Sequence, residues 1–288
     1  MNAGPTIRTT LGSTGIPVSS LIPAAWSFAG RKGPFGGRIP PDEIERAFHE
    51  LGLNTFFVTP KMRDTAEGVR RLVRAGHRED IVIVSASGIP LAGRVRAYWS
   101  RCTRELELDM IDIFLMGWVQ YPFYLRPSVW GAMQELKDSG KVRALGFSIH
   151  NRRLAARLSN ELEPPPDVLM LRYNAAHRGA ESEIFKRLPE PKPGVIAYTA
   201  TRWGDLLKPR PNLGFERGMS APECYRFVLQ HDAVDAALCG ARTRSELEED
   251  VEGVLEGPLQ EERYEEVLRF GDAVHRKPTR RGSRYAFR

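Results

Sequence analysis

A few side chains in this 288-residue sequence combine reactive chemistry with a place where an apolar run ends. His150 closes "VRALGFSIH", and an imidazole there could move a proton near neutral pH. Tyr198, in "VIAYTA", carries a phenol that can donate and accept. Arg63, in "FFVTPKMRD", and Arg242, in "CGARTR", carry guanidinium cations, which can make two-point contacts with an anion. The stretch "RYNAAHRGAESE", residues 172–183, is polar where another apolar run stops. Its His177 and Glu181 lie four apart, which a helix would place on one face. "WVQYPFY", residues 118–124, is an aromatic cluster that could line an apolar pocket or simply cap the fold. The contrast is "IFLMGW", residues 113–118, an apolar run that ends on Gly117 and so offers no side chain. Each candidate also has a structural alternative. His150 could be a hydrogen-bonded support, Tyr198 packing, Arg242 a surface arginine, Arg63 a partner of Asp64, and Lys61 a solvated cation.

Apolar runs of four to eight residues alternate with charged, helix-patterned segments along the whole chain. "TIRTTLGSTGIPVSSLIP" reads as a hairpin turning at Gly12 and Gly15, leading into a strand near residues 20–25. "PDEIERAFHELG" reads as a helix with an acidic first turn, ending at Gly52. Strand patterns follow in "LNTFFVTP", "DIVIVSAS", "MIDIFLMG", "VRALGFSIH", "DVLMLRYN", "GVIAYTA" and "VDAALCG". Between and after them lie helix patterns, among them "DTAEGVRRLVRAG", "PSVWGAMQELKDSG", "ESEIFKRL" and "TRSELEEDVEGV". About eight βα units without a linker imply one α/β domain, a (β/α)8 TIM barrel with an N-terminal β-hairpin. No GxGxxG follows the first strand, which argues against a Rossmann fold. A barrel puts its chemistry at the C-terminal strand ends, around Ala25, 58–64, 86–88, 117–121, 148–150, 173–178, 198–203 and 240–244.

The bulk numbers narrow the class. The longest apolar stretches fall far short of the roughly 20 residues that cross a bilayer, and the first residues lack a secretory pattern. These features point to the cytoplasm and away from a membrane. Three widely spaced cysteines, Cys102, Cys224 and Cys239, read as reduced thiols, and no His/Cys cluster suggests a metal. The net charge of +6 is local, because residues 276–288 hold six basic side chains and no acid. Without them, 36 basic residues balance 36 acidic ones. The reading is a barrel over residues 1–275 and a basic, disordered tail over 276–288. Nothing in the body resembles a nucleic-acid-binding fold, and the sequence does not give the oligomeric state.

Over residues 8–268 the chain resembles the aldo-keto reductases. The likeness rests on "LGSTGIPVSSLIPAAW", "MQELKDSGKVRALGFSIHN", "VIAYTA" and "CGARTRSELEEDV". The resemblance implies hydride delivery from NADPH to a carbonyl, with a tyrosine giving the proton. A lysine and an aspartate lower that tyrosine's pKa, and a histidine orients the carbonyl oxygen. On the same resemblance, Val58 stands at the aspartate position, Arg63 at the tyrosine, Ala86 at the lysine and Gly117 at the histidine. All four members of the relay are replaced. A guanidinium titrating above about 12 cannot serve as the acid.

For the cofactor, the resemblance places Tyr198 against nicotinamide and Ser148 on the carboxamide. It gives Arg242 to the 2′-phosphate and Glu249 to the adenine amino group. The carboxamide's other partners are replaced by Ile149 and Met170, and a Gly-Thr pair by Ala24 and Ala25. NADPH binding is left open, with a poorly held reactive ring. Three readings follow. The first is a ligand- or NADPH-binding barrel without reductase activity, holding a small molecule in its mouth. The second is a non-redox isomerase, cyclase or lyase in the same pocket, with Arg63 holding an anion and His150 or Tyr198 moving a proton. The third is an NADPH oxidoreductase with a substitute proton donor such as His150.

Overall fold

The computed structural model describes residues 7–24, 39–241 and 243–277. It opens with an antiparallel hairpin, β1 (Arg8–Thr10) and β2 (Pro17–Ser19), and continues into β3 (Leu21–Pro23). The next units are α1 (Pro41–His49), β4 (Thr55–Phe57), α2 (Arg63–Arg74), β5 (Val82–Ser87) and α3 (Ala92–Leu106). Then come β6 (Ile111–Val119), α4 (Pro127–Asp138), β7 (Val142–Ile149), α5 (Arg152–Glu161) and β8 (Val168–Arg172). The last are α6 (Ala180–Glu183), β9 (Gly194–Tyr198), α7 (Ala221–Leu229), β10 (Ala236–Cys239), α8 (Arg244–Leu255) and α9 (Glu261–Arg276).

Strands β3 to β10 form one parallel sheet in the order β3-β10-β9-β8-β7-β6-β5-β4. With helices between the strands, this is the expected (β/α)8 barrel and N-terminal hairpin. At the seam, the Ser19 backbone N donates to Thr55 Oγ1 at 3.1 Å, and the Thr55 N donates to Ser19 Oγ at 3.2 Å. The strands are buried on both faces, which is why they read as continuous apolar runs rather than as alternating ones. Below the barrel, the hairpin seats Leu11 against β9. A Cβ at Gly194 would lie 2.3 Å from Leu11 Cγ, so only glycine leaves that space.

Local signals set the helix starts. Pro41 opens α1 with Asp42 and Glu43 in the first turn, where acids complement the helix dipole. Ser220 and Glu223 make a capping box on α7, and Thr243 caps α8. Asn151 Oδ1 accepts from Leu154 N at 3.0 Å and fixes the turn that carries His150 from β7 into α5.

Three local expectations are corrected. "MIDIFLMG" does not end as a strand at Gly117. β6 runs on to Val119, with a register shift between Met116 and Val119 and Trp118 at φ +55°. "ESEIFKRL" is not one helix. The fully buried Ile184 leaves helical backbone at φ −134°, separating four-residue α6 from a 3-10 turn at Phe185–Arg187. His177 and Glu181 do not share a helix face, because α6 begins only at Ala180 and His177 bridges back to Asn174. Helix α9 reaches Arg276, the first residue of the anticipated tail, and residues 278–288 lie outside the described ones.

Candidate functional site at the C-terminal strand ends

The four positions that the resemblance marks for proton transfer divide between strand ends and a helix. Ala86 lies in β5 and Gly117 in β6, side by side. A Cβ built on Gly117 would touch Ala86 Cβ at 3.4 Å, an ordinary contact. Val58 is fully buried and prolongs β4, its N donating to Val84 O at 2.9 Å. Arg63 is exposed at the first turn of α2. Three of the four positions therefore line the strand ends without a titratable group. The β6 irregularity turns the Trp118 ring over Gly88, whose Cβ would meet it at 3.1 Å. Beside it, Ser87 Oγ is sealed from solvent with no hydrogen-bond partner.

The opposite side of the barrel mouth, at β7, β8 and β9, is rich in polar and aromatic groups. Arg172 ends β8 and pairs in register with Tyr198, which ends β9. The Tyr198 hydroxyl reaches across β8 and donates to Ile149 O at 2.8 Å. His150 stands edge-on to Tyr198, with ring centroids 5.2 Å apart. Burial, and then the Arg172 charge, lower the His150 pKa to about 4. His177 falls to about 3, from burial first and then the Arg172 charge, with Arg202, His275 and Arg152 acting in the same direction. Burial pushes the Tyr198 phenol above its usual range, against the opposing pull of Arg172. This phenol is harder to ionise than a free one, the reverse of a tuned catalytic acid.

Arg172 was not singled out as a site residue by sequence reasoning. It is only 6% exposed, and its Nε and Nη1 have no hydrogen-bond partner. The available signal was an arginine closing the buried run "DVLML". Next to Tyr198, Thr199 takes φ +58°, an uncommon backbone for a β-branched residue, and its sealed Oγ1 also lacks a partner. The loop beyond is tied down by buried charges. Arg202 Nη1 donates to Val274 O at 2.8 Å, and Arg210 Nη2 meets Asp205 Oδ1 at 2.7 Å.

Tyr121 and Phe123 are 56% and 49% exposed and stack on each other, so they form an outer rim rather than a pocket lining. Arg178 pairs with Asp272, and Glu181 accepts from the Tyr173 hydroxyl at 2.8 Å, both structural contacts. Lys61 is exposed. At the cofactor positions, Ser148 is buried in β7 beside Met170 of β8. Met170 offers only a thioether, a weak acceptor, and the Ile149 carbonyl is occupied by Tyr198. A carboxamide would therefore find one hydroxyl among these three residues, and the nicotinamide end does not fit well. Glu249 is exposed on α8, Ala24 is buried after β3, and Arg242 and Ala25 lie outside the described residues.

Comparison with known proteins accounts for this architecture. The Aldo/keto reductase family matches residues 90–271. Rho crystallin of Rana temporaria is 29% identical over 130 residues, covering 36% of this chain and 39% of the crystallin. Aldo-keto reductase family 4 member C11 of Arabidopsis thaliana is 33% identical over 85 residues, covering 24% of this chain and 26% of that protein. The chain thus spans about two fifths, or less, of the length of these relatives. The holo form of aldo-keto reductase AKR11C1 from Bacillus halodurans superposes with a TM-score of 0.72 at 17% identity, over 91% of this chain and 95% of that one. That likeness is one of fold. With more than half of its length matched, this chain belongs to the aldo/keto reductase family.

Proposed function

We propose that this protein is a small-molecule-binding member of its family that has lost the carbonyl-reducing relay. The observation that carries the reading is that Ala86 and Gly117, so placed that a Cβ added to Gly117 would lie 3.4 Å from Ala86 Cβ, offer no titratable group where the family resemblance puts lysine and histidine. Buried Val58 and exposed Arg63 support it, because neither can give a proton to a carbonyl at the strand ends. His150 is a poor substitute. With a pKa of about 4, roughly one imidazole in a thousand is protonated at neutral pH. In this reading NADPH is a ligand at most, and the ligand site is the barrel mouth. A second reading, non-redox catalysis in the same mouth, is favoured by the Thr199 backbone, since strain of this kind gathers at functional sites.

The test is a titration of the purified protein with NADPH, with NADH as comparison, followed by tryptophan and nicotinamide fluorescence. NADPH oxidation is then measured across a panel of aldehydes and ketones. The expected result is no carbonyl-dependent oxidation. If NADPH binds in preference to NADH, Arg242→Ala should remove the preference. Sustained carbonyl reduction that a pocket substitution such as Tyr198→Phe abolishes would overturn the reading.

A further inference from the structure

We propose that Arg172 anchors an oxyanion-binding subsite at the ends of β7, β8 and β9, so that the ligand of the barrel mouth carries a carboxylate or a phosphate. The inference rests on the ligand-binding reading above and gives its site a chemistry.

Among the described residues, Arg46, Arg202 and Arg210 each keep one sealed, unpartnered nitrogen, but only Arg172 of the buried arginines has neither an ion pair nor a side-chain hydrogen bond. Arg46 is held by Glu43 at 3.0 Å, Glu50 at 3.3 Å and Glu248 at 2.8 Å. Arg210 meets Asp205 at 2.7 Å, and Arg202 donates to Val274 O at 2.8 Å. Arg172 has no ion pair among the described residues, and two of its nitrogens are sealed from water without an acceptor. A buried cation without a counter-ion is costly, and a native chain that keeps one signals a partner not supplied by the fold. Its surroundings deepen the need. Arg202 and Arg152 bear on it with like charge, and His150 and His177 stay neutral. Of these, Arg152 is already committed to Glu183.

A second unpartnered donor occurs one residue past the end of β9. Thr199 follows the residue in register with Arg172, and its hydroxyl is equally unpartnered. Guanidinium is the side chain best matched to a planar or tetrahedral oxyanion, and an unpartnered one at a strand end is the donor such a ligand requires. Tyr198 supplies a wall that does not compete for the anion, because its hydroxyl is spent on Ile149 O. The position lies at the C-terminal strand ends, where barrels bind their ligands.

The test uses the full chain and three probes: inorganic phosphate, acetate and benzoate. Binding is read by calorimetry and by thermal shift at constant ionic strength, with chloride as control. At least one probe should saturate the wild type. Arg172→Met should weaken it about tenfold or more, as expected for losing a charged hydrogen bond, and Arg172→Lys should fall between. Phosphate alone, with a matching loss of NADPH affinity in Arg172→Met, would identify the oxyanion as the cofactor's own phosphate. Acetate or benzoate with unchanged NADPH affinity would identify a carboxylate ligand. If Arg172→Met does not fold, Arg172→Gln replaces it. No saturable binding of any probe, or equal binding to the variant, overturns the proposal. Carbonyl reduction is measured on the same preparations. Hydride transfer with Arg172-dependent probe binding would remove the non-reductase reading and leave the subsite standing.

Discussion

Arg172→Met should make the ligand-free protein more stable, the opposite of what most core substitutions do. Two sealed guanidinium nitrogens lack acceptors, and each unsatisfied buried donor costs about 1–3 kcal/mol. Methionine keeps an unbranched apolar stem of similar length, so the loss in packing is small beside that term. Removing like-charge pressure from Arg152 and Arg202 acts in the same direction. A net gain of about 2 kcal/mol is expected. At about 2–4 °C per kcal/mol for a domain of this size class, the midpoint should rise by roughly 4 °C or somewhat more. The assay is thermal and urea unfolding, each followed by tryptophan fluorescence in chloride buffer free of phosphate and carboxylates. Adding phosphate or carboxylate should then narrow the gap by stabilising only the wild type, since a ligand of the native state stabilises by mass action. A loss of about 3–5 kcal/mol in the variant would refute the reasoning, because that is what breaking a satisfied buried ion pair costs.

Three further substitutions probe the site and its scaffold. His150 has a native pKa of about 4, below the ordinary value of 6.5, so the unfolded chain takes up its proton first as pH falls. Its contribution is whole above about pH 6.5 and drains at about 1.4 kcal/mol per pH unit toward pH 4, so His150→Gln should flatten the wild-type slope by about that amount. Parallel stability–pH curves for the two proteins would contradict the burial assigned to this imidazole. At the barrel floor, Gly194→Ala would drive a Cβ to 2.3 Å from Leu11 Cγ and should cost about 1–3 kcal/mol in urea unfolding. Combined with Leu11→Ala, the penalty should be less than the sum of the two single losses, and strict additivity would show that they do not meet.

The alternation of apolar runs and charged helices was enough to read the order and type of nearly every element. In a barrel each strand is buried on both faces and each helix on one, and both patterns are local. The same local reading put the candidate chemistry at the strand ends, where Val58, Ala86, Gly117, His150 and Tyr198 stand. It faltered where tertiary packing overruled a local signal, at the buried Ile184 that ends α6 and at Trp118, which extends β6 past its glycine. It also passed over Arg172, because nothing in "DVLMLRYN" tells a strand-end arginine that is paired from one that is not. Apolar periodicity is written within a dozen residues and can be read by itself. Charge compensation is decided by which carboxylates the fold brings near, and at Arg172 the described residues bring none.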